Sequence, residues 1–242
     1  MKLTKILFSF FLVFFLSFSS ITIIGAESTE SPANNDVNLD DEEKLVRLFE
    51  IPNNPYVAQL TIFSVASSSQ SSSSNYSGHS WVTIKNINTN NTKIRVGKVT
   101  GIERNKTVSV GTFGNKLNNS GKTKKGIFYN LESYFQSKNS SSYRGRVSLT
   151  MSLTQNQLNT VNNFITNNDK WSLTNNCANF AVKLWNGVSS TKLSSGTPAT
   201  PKKLVNSIKS KSGYKTNASM PFHYPVRYAN GKSNTTLSKK YK

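Results

Sequence analysis

The chain's one cysteine lies in the stretch Asn175-Asn176-Cys177-Ala178-Asn179-Phe180-Ala181-Val182-Lys183-Leu184-Trp185-Asn186-Gly187. Apolar residues recur in this stretch with the i, i+3, i+4, i+7, i+8 spacing of one buried helix face. They are Cys177, Phe180, Ala181, Leu184 and Trp185. Asn175 and Asn176 are residue types preferred at a helix N-cap, and Gly187 suits the C′ position. The stretch therefore predicts a helix with the thiol in its first turn.

A thiol in the first turn of a helix lies near unpaired backbone N–H groups and the positive end of the helix dipole. Both favour the thiolate, and such cysteines titrate roughly between pH 3.5 and 7.5 instead of near 8.5. Cys177 is therefore a candidate nucleophile. The alternative is a buried structural cysteine, because Cys is among the residue types most often buried.

The N-terminal residues have the pattern of an export signal. Residues 1–26 begin with Lys2 and Lys5, continue as an apolar run rich in Phe and Leu, and end in Ile24-Gly25-Ala26. This pattern predicts a cleaved secretory signal peptide, with an uncleaved membrane anchor as the alternative. No second long apolar run follows, so we expect a secreted chain with no integral membrane span after signal cleavage.

Charge divides the remaining chain into two parts. Segment 27–55 carries eight acidic and two basic residues, a net charge of −6, and is predicted to be a disordered linker or pro-like segment. Segment 56–242 carries 26 Lys and Arg against Glu103, Glu132 and Asp169, a net charge of +23. It is long enough for one domain with a substantial core. Within it, residues 67–74 are predicted to be a flexible loop and 233–242 a frayed tail.

So basic a domain is expected to adhere to polyanions. Export argues against nucleic acid as the partner, and no basic motif with interleaved aromatic residues is found. We expect the partner to be an anionic cell envelope or wall polymer, so that the protein is extracellular and associated with the cell wall. A solvated basic face without a specific partner is the alternative.

The order of local patterns predicts the fold class. Short runs rich in β-branched and aromatic residues predict strands at 57–65, 79–87, 92–97, 107–113 and 146–151. Helices are predicted after the capping box Thr154-Gln155-Asn156-Gln157, at Cys177, and from Thr200-Pro201 to Gly213. Residues 126–135 fit neither period. Strands followed by helices imply an α+β domain with an antiparallel sheet packed against helices.

A thiolate nucleophile needs a base within hydrogen-bond reach and a third group that orients the base. The chain has two histidines. His79 lies at the start of a predicted strand, and the strand would hold its ring rigidly. His223 lies in an irregular stretch between Pro221 and Pro225. We favour His79 as the base. The alternatives are that His79 is a hydrogen-bonded strand histidine and that His223 is a histidine of a surface loop.

Two motifs resemble those of a known family. The pattern Asn-Cys-x-x-Phe-x-x-x-Leu-x-x-Gly is matched by Asn176, Cys177, Phe180, Leu184 and Gly187. It is similar to the cysteine motif of the lecithin retinol acyltransferase-like proteins, which belong to the circularly permuted papain-like cysteine hydrolases of the NlpC-like superfamily. In that group a strand histidine precedes the cysteine, as His79 precedes Cys177 here.

The resemblance implies a permuted papain-like core and acyl-enzyme chemistry on an amide or ester. It implies Cys177 as the nucleophile and His79 as the base. Papain order, in which His223 follows Cys177 as the base, is the alternative.

The group that orients His79 is left open by the sequence. The retinol acyltransferase relatives place a second histidine on the next strand, and no histidine lies between His79 and Cys177 here. Candidates are Ser109, Thr112, Asn115 or a backbone carbonyl. Glu132 and Asp169 are too isolated in sequence to suggest a carboxylate pair.

An asparagine next to the cysteine, Asn175 or Asn176, is a candidate oxyanion donor beside the Cys177 backbone N–H. Helix capping alone is the simpler interpretation of both. One cysteine and two distant histidines are too few for a structural zinc site, so we expect no metal and no cofactor.

These patterns together predict a secreted cysteine amidase or peptidase that cleaves an amide, with a cell-wall peptide as the leading substrate. Two alternatives remain. One is a noncatalytic envelope-binding module with the same fold, and the other is a lipid acyl hydrolase or acyltransferase.

Overall fold

The computed structural model describes residues 55–66, 78–117, 123–168, 171–229 and 234–242. The chain divides into two units, Met1–Glu50 and Ile51–Lys242, and all described residues belong to the second. The predicted signal peptide, the acidic segment up to residue 54 and the predicted loop 67–74 lie outside the described residues. Within the described ranges, no helix is both long and apolar enough to cross a bilayer.

Antiparallel strands form the centre of the described part of the chain. The strands are β1 Tyr56–Val65, β2 His79–Asn86, β3 Ile94–Val96, β4 Val99–Ile102, β5 Thr107–Leu117, β6 Thr123–Tyr129, β7 Val147–Thr154, β8 Lys215–Thr216, β9 Arg227–Ala229 and β10 Thr236–Leu237. Eight of them form one sheet in the order β10-β9-β6-β5-β2-β1-β7-β8, and β3 pairs with β4 in a separate hairpin. The long central strands β2, β5 and β1 therefore lie side by side in the middle of the sheet.

Three of the four helices in the described residues cover one face of this sheet, where the main hydrophobic core lies. The helices are α1 Leu131–Lys138, α2 Gln155–Asn167, α3 Cys177–Val188 and α4 Pro201–Lys209. Side chains alternate between the two faces of a strand. On one face, Ile62 and Val82 of the central strands pack in a single cluster with Leu158 of α2, Leu184 of α3 and Leu204 of α4. The α+β class with an antiparallel sheet packed against helices is therefore confirmed.

The opposite face of the sheet carries two smaller clusters. Trp81, which alternates with Val82 along β2, packs with Phe63 and Met220. Phe113 and Phe128 pack against Leu131, the first residue of α1. Helix α1 thus lies on the sheet face opposite to α2, α3 and α4.

The helices begin where their capping residues predict. Thr154 and Gln157 form both hydrogen bonds of the capping box at α2, and the Thr200 side chain accepts from the Lys203 N–H at α4. The helix that contains Cys177 begins at that residue, with Asn176 as N-cap. The prediction for its end is wrong: Gly187 lies inside the last turn and the C-cap is Ser189. The apolar face continues to Val188, so the helix does not need the left-handed backbone that glycine provides.

The stretch 126–135, which fits neither period, contains the end of a strand and the start of a helix. Strand β6 ends at Tyr129 and α1 starts at Leu131. Asn130 between them has a left-handed backbone with φ of 63°, a conformation that Asn tolerates better than most residues. A change of period within ten residues explains why no single pattern fits.

Further predictions differ from the structure. Helix α4 ends at Lys209 with Ser210 as its C-cap, before the predicted end at Gly213. Strand β4 was not predicted, since Val99–Ile102 is short, contains Gly101 and buries residues only at its ends. The prediction of a frayed tail at 233–242 is wrong for the described residues 234–242. Strand β10 pairs with β9, and the Tyr241 ring packs against Phe135 with ring centroids 5.6 Å apart.

We expect Tyr241→Ala to lower the free energy of unfolding by about 1–2 kcal/mol, because it removes several aromatic contacts at once. The Tyr241 ring also lies 5.9 Å from the Tyr134 ring and 6.4 Å from the Phe128 ring, measured between centroids. Leu237→Ala is the control, since Leu237 is half exposed in the same tail, and it should change stability by less than about 0.5 kcal/mol. Urea unfolding checks both values. If Tyr241→Ala lowers the free energy of unfolding as little as Leu237→Ala does, the Tyr241 ring does not pack as described.

Candidate functional site

A histidine and a glutamate make a buried contact at one end of the sheet. His79, the first residue of β2, lies with its Nε2 atom 3.0 Å from Oε1 of Glu132. Glu132 is the second residue of α1 and is completely buried, while His79 is 5% exposed. Isolated burial of a charged group costs several kcal/mol, so this pair requires mutual compensation.

The second oxygen of the carboxylate also has a partner. Ser109, on β5, donates its hydroxyl to Oε2 of Glu132 over 2.8 Å. Room for the carboxylate is provided by Gly111, two residues further along the same strand face. A Cβ atom at this position would overlap Oε1 of Glu132 and lie 3.3 Å from Nε2 of His79.

Aromatic rings enclose the imidazole. Phe113 stacks on His79 with ring centroids 4.4 Å apart, and Trp81 stacks on it at 5.4 Å. Tyr143 lies against the same cluster, with its centroid 5.9 Å from that of His79. Because three aromatic rings pack against the imidazole, its orientation is restricted before any partner binds.

The thiol of Cys177 meets the same histidine. Cys177 is the first residue of α3 and is partly buried. Its thiol lies close enough to His79, and to the backbone of Ser80 and Ala178, for these groups to lower its pKa. Since Nε2 of His79 faces Glu132, Nδ1 is the ring nitrogen left for the thiol. We call Cys177, His79 and Glu132 the Cys–His–Glu triad.

Mutual interactions shift both ionisations towards the charged forms. Burial by itself lowers the pKa of His79, but hydrogen bonds and charge interactions with Cys177 and Glu132 outweigh it and raise that pKa to about 9. Burial by itself raises the pKa of the Cys177 thiol, but the interactions with His79 and the two backbone hydrogen bonds bring it below its ordinary value. At neutral pH these shifts favour a thiolate beside an imidazolium.

The second histidine lies at the other end of the sheet. The Thr107 N–H donates to Nδ1 of His223 over 2.9 Å, and Thr107 pairs with Lys85. Lys85 is six residues from His79 along β2, or roughly 20 Å at about 3.3 Å per residue. Burial and the nearby Lys106 and Lys85 lower the pKa of His223. The structure therefore brings His79, and not His223, to Cys177.

Asn176 has a capping role in this structure. Its Oδ1 accepts from the N–H groups of Ala178 and Asn179, and its Nδ2 donates to the Ala199 carbonyl over 2.8 Å. Nδ2 also donates to the Leu173 carbonyl over 3.3 Å, so both amide hydrogens are engaged and Asn176 has no donor left for an oxyanion. The capping interpretation is thus supported for Asn176. Its side chain accepts from the N–H groups of Ala178 and Asn179 and not from that of Cys177.

The third group of the triad is the residue that the sequence did not single out. Of the candidates to orient His79, Ser109 contacts Glu132 instead, Thr112 has a buried hydroxyl without a hydrogen-bond partner, and the Asn115 side chain lies outside the described residues. Asp169 is also outside them. One signal could have indicated Glu132: it is an acidic residue in the aromatic-rich stretch 126–135 of a strongly basic domain.

The triad has the groups needed for nucleophilic catalysis. A thiolate is the nucleophilic form of cysteine, an adjacent imidazolium can give a proton to a leaving group, and a carboxylate orients the ring. Among the described residues, no group of three or more His, Cys, Asp and Glu side chains is arranged to hold a metal ion.

We expect alkylation of Cys177 to reach half its maximal rate well below about pH 8.5, the ordinary thiol pKa. His79→Ala removes the imidazolium and should raise the apparent pKa of the thiol by roughly one unit or more. His223→Ala, at the far end of the sheet, should leave it unchanged. Iodoacetamide alkylation rates against pH measure all three values, and identical curves would rule out a coupled Cys177–His79 pair.

We expect Gly111→Ala to displace the Glu132 carboxylate from the imidazole, because the new methyl group occupies the same space. The pKa of His79 should then fall from its raised value, as followed by NMR titration. Gly187→Ala on α3 is the matched control, since a Cβ there meets open space. It should add about 0.5–1 kcal/mol of stability and leave His79 unchanged. An unaltered His79 titration in Gly111→Ala would contradict the steric argument.

No protein-family model, no curated protein and no solved structure matches this chain.

Proposed function

We propose that this chain is a secreted cysteine hydrolase, an amidase or peptidase that cleaves an amide through an acyl-enzyme. The observation that carries the proposal is the contact of the Cys177 thiol with His79, whose other ring nitrogen is bonded to the buried Glu132. Neither a buried structural cysteine nor a hydrogen-bonded strand histidine requires this arrangement. A nucleophile, a base and an orienting carboxylate do.

In the proposed reaction, the Cys177 thiolate adds to the carbonyl carbon of the amide. The carbonyl π electrons move onto oxygen, and the Cys177 backbone N–H at the start of α3 is the donor that we assign to this oxyanion. When the tetrahedral intermediate collapses, the C–N bond breaks and His79 gives its proton to the departing amine. This step leaves a thioester on Cys177 and a neutral imidazole.

Water completes the cycle. Neutral His79 accepts a proton from a water molecule as its oxygen attacks the thioester carbonyl, and the C–S bond then breaks to release the acid and restore the thiolate. Through both steps, Glu132 keeps Nε2 of the ring occupied, so that Nδ1 remains directed at the reacting atoms.

The arrangement also supports a permuted papain-like core as the finer description of the fold. The histidine is on a strand that precedes the cysteine in sequence, and the helix that starts at Cys177 packs its apolar face on the central sheet. The departure from the retinol acyltransferase pattern is the third residue. In place of a second strand histidine, Glu132 reaches the ring from helix α1.

Charge favours an anionic envelope polymer as the surface on which the protein acts. In the described residues the acidic side chains are Glu132, which is buried, and Glu103, whose carboxylate lies 3.5 Å from the Lys93 ammonium. Nearly all exposed ionic groups there are cationic, which attracts polyanions at low ionic strength. A peptide amide of such a polymer, as in a cell wall, is the substrate class that we propose.

The proposal is tested with the chain lacking residues 1–26, incubated with purified cell-wall sacculi and with fluorogenic amide and ester substrates. Release of amino groups or fluorophore measures turnover, and co-sedimentation with sacculi at low and high salt measures binding. We expect Cys177→Ala to lower turnover by at least about a thousand-fold, since it removes the nucleophile, while leaving co-sedimentation unchanged.

Each alternative has its own outcome in this experiment. Salt-sensitive co-sedimentation without turnover of any substrate by the unchanged chain would indicate the noncatalytic binding module. Turnover of the ester but not of the amide substrates would indicate an acyl hydrolase. Full activity in Cys177→Ala would contradict the mechanism itself.

A further inference from the structure

Both oxygens of the Glu132 carboxylate are held by side chains. Oε1 lies 3.0 Å from Nε2 of His79, and Oε2 accepts the Ser109 hydroxyl over 2.8 Å. Ser109 and Glu132 are both completely buried. In this environment a hydrogen bond to a charged oxygen is stronger than one between neutral groups, since water does not compete for it.

Ser109 is itself fixed by the turn that starts helix α1. Its backbone N–H donates to Oδ1 of Asn130 over 3.1 Å, and its carbonyl accepts from the Asn130 N–H over 2.8 Å. The Asn130 side chain therefore does not cap α1, although Asn130 stands at the N-cap position. Instead it ties the first turn of α1, which carries Glu132, to the strand that carries Ser109.

One hydrogen bond does not determine how a carboxylate is oriented. The terminal torsion of a glutamate side chain is broad, so with His79 as sole partner the plane of the carboxylate could rotate about Oε1. A second donor on Oε2 determines that plane, and with it the direction from which Oε1 meets the imidazole. Because the imidazole is held by Glu132 on one side, this direction decides where Nδ1 points relative to Cys177.

We propose that Ser109 is a positioning residue, which acts through Glu132 to hold His79 in the orientation that serves Cys177. This inference rests on the proposed cysteine chemistry and extends the triad by one residue. Ser109 is fully buried behind the carboxylate, so its effect on the reaction passes through Glu132 and His79. Of the ionisable groups, Glu132 is bonded to Ser109 directly, His79 is linked to it through Glu132, and Cys177 and Tyr143 face His79 in turn.

The test compares Ser109→Ala, which removes the donor, with Ser109→Thr, which keeps a hydroxyl. The matched control is Ser148→Ala, because Ser148 is likewise a buried strand serine, but its hydroxyl faces the Lys215 carbonyl at 3.5 Å. NMR titration reports the pKa of His79, and the second histidine signal is assigned by His223→Ala. Alkylation against pH reports the pKa of Cys177, and neither readout needs a substrate.

For Ser109→Ala we expect the pKa of His79 to fall and that of Cys177 to rise, each by roughly one unit, as loss of a hydrogen bond to a charged group implies. Ser109→Thr should restore both values, and Ser148→Ala should change neither. Where hydrolysis is measurable, kcat should fall about tenfold in Ser109→Ala with a smaller change in KM.

Titrations in Ser109→Ala that match those of the unchanged chain would overturn the proposal, as would a shift of equal size in Ser148→Ala. Circular dichroism verifies that each variant is folded. If Ser109→Ala does not fold, Ser109→Cys replaces it, since a thiol of similar volume is a weak donor, and the NMR titration of His79 is read alone.

Failure of this inference is distinguishable from failure of the proposed function. Unshifted titrations together with hydrolysis by the unchanged chain would exclude Ser109 and leave the hydrolase intact. Shifted titrations without hydrolysis would support the role of Ser109 in orienting His79 and count against the hydrolase.

Discussion

The contact between His79 and Glu132 is the interaction on which the rest of the site depends. A buried carboxylate is stable only if its oxygens are paired, and here the imidazole occupies one oxygen and the Ser109 hydroxyl the other. The surrounding structure is arranged for this pair, since Gly111 leaves space for the carboxylate and the left-handed Asn130 turns α1 towards the sheet. Interactions with Cys177 and with Glu132 together raise the pKa of His79 and favour its charged form.

The triad is assembled from three elements that approach the sheet from different directions. Cys177 begins α3 on the face of the main core, Glu132 comes from α1 on the opposite face, and His79 stands at the end of β2. The thiol also bonds to the backbone of Ser80, which adjoins His79. His79 pairs with Val65 of β1, and from Val82 onward β2 is also paired with β5, so the histidine stands on a strand anchored in the middle of the sheet.

Local patterns predicted the elements whose hydrogen bonds and packing are local. The capping residues Thr154, Asn176 and Thr200 mark the helix starts because each satisfies N–H groups within three residues. Patterns failed where distant contacts decide the outcome. The C-terminal residues are ordered by Tyr241 packing on aromatic rings from β6 and α1, and this contact leaves no trace in the neighbouring sequence. Strand β4 is a different case, because it pairs with the adjacent β3 and was missed only for being short and containing Gly101.

By itself, the sequence determined the class of fold, the single candidate nucleophile, two candidate bases and the separation of an acidic segment from a basic domain. These properties follow from composition and from spacings within one helix or strand. The sequence also favoured His79 over His223, but only the tertiary structure brought His79 to Cys177 and added Glu132, which is 53 residues from its partner. The physical reason is that the stability of a buried ionic group comes from partners brought together by strand pairing and helix packing, and these distances are not encoded in any local pattern.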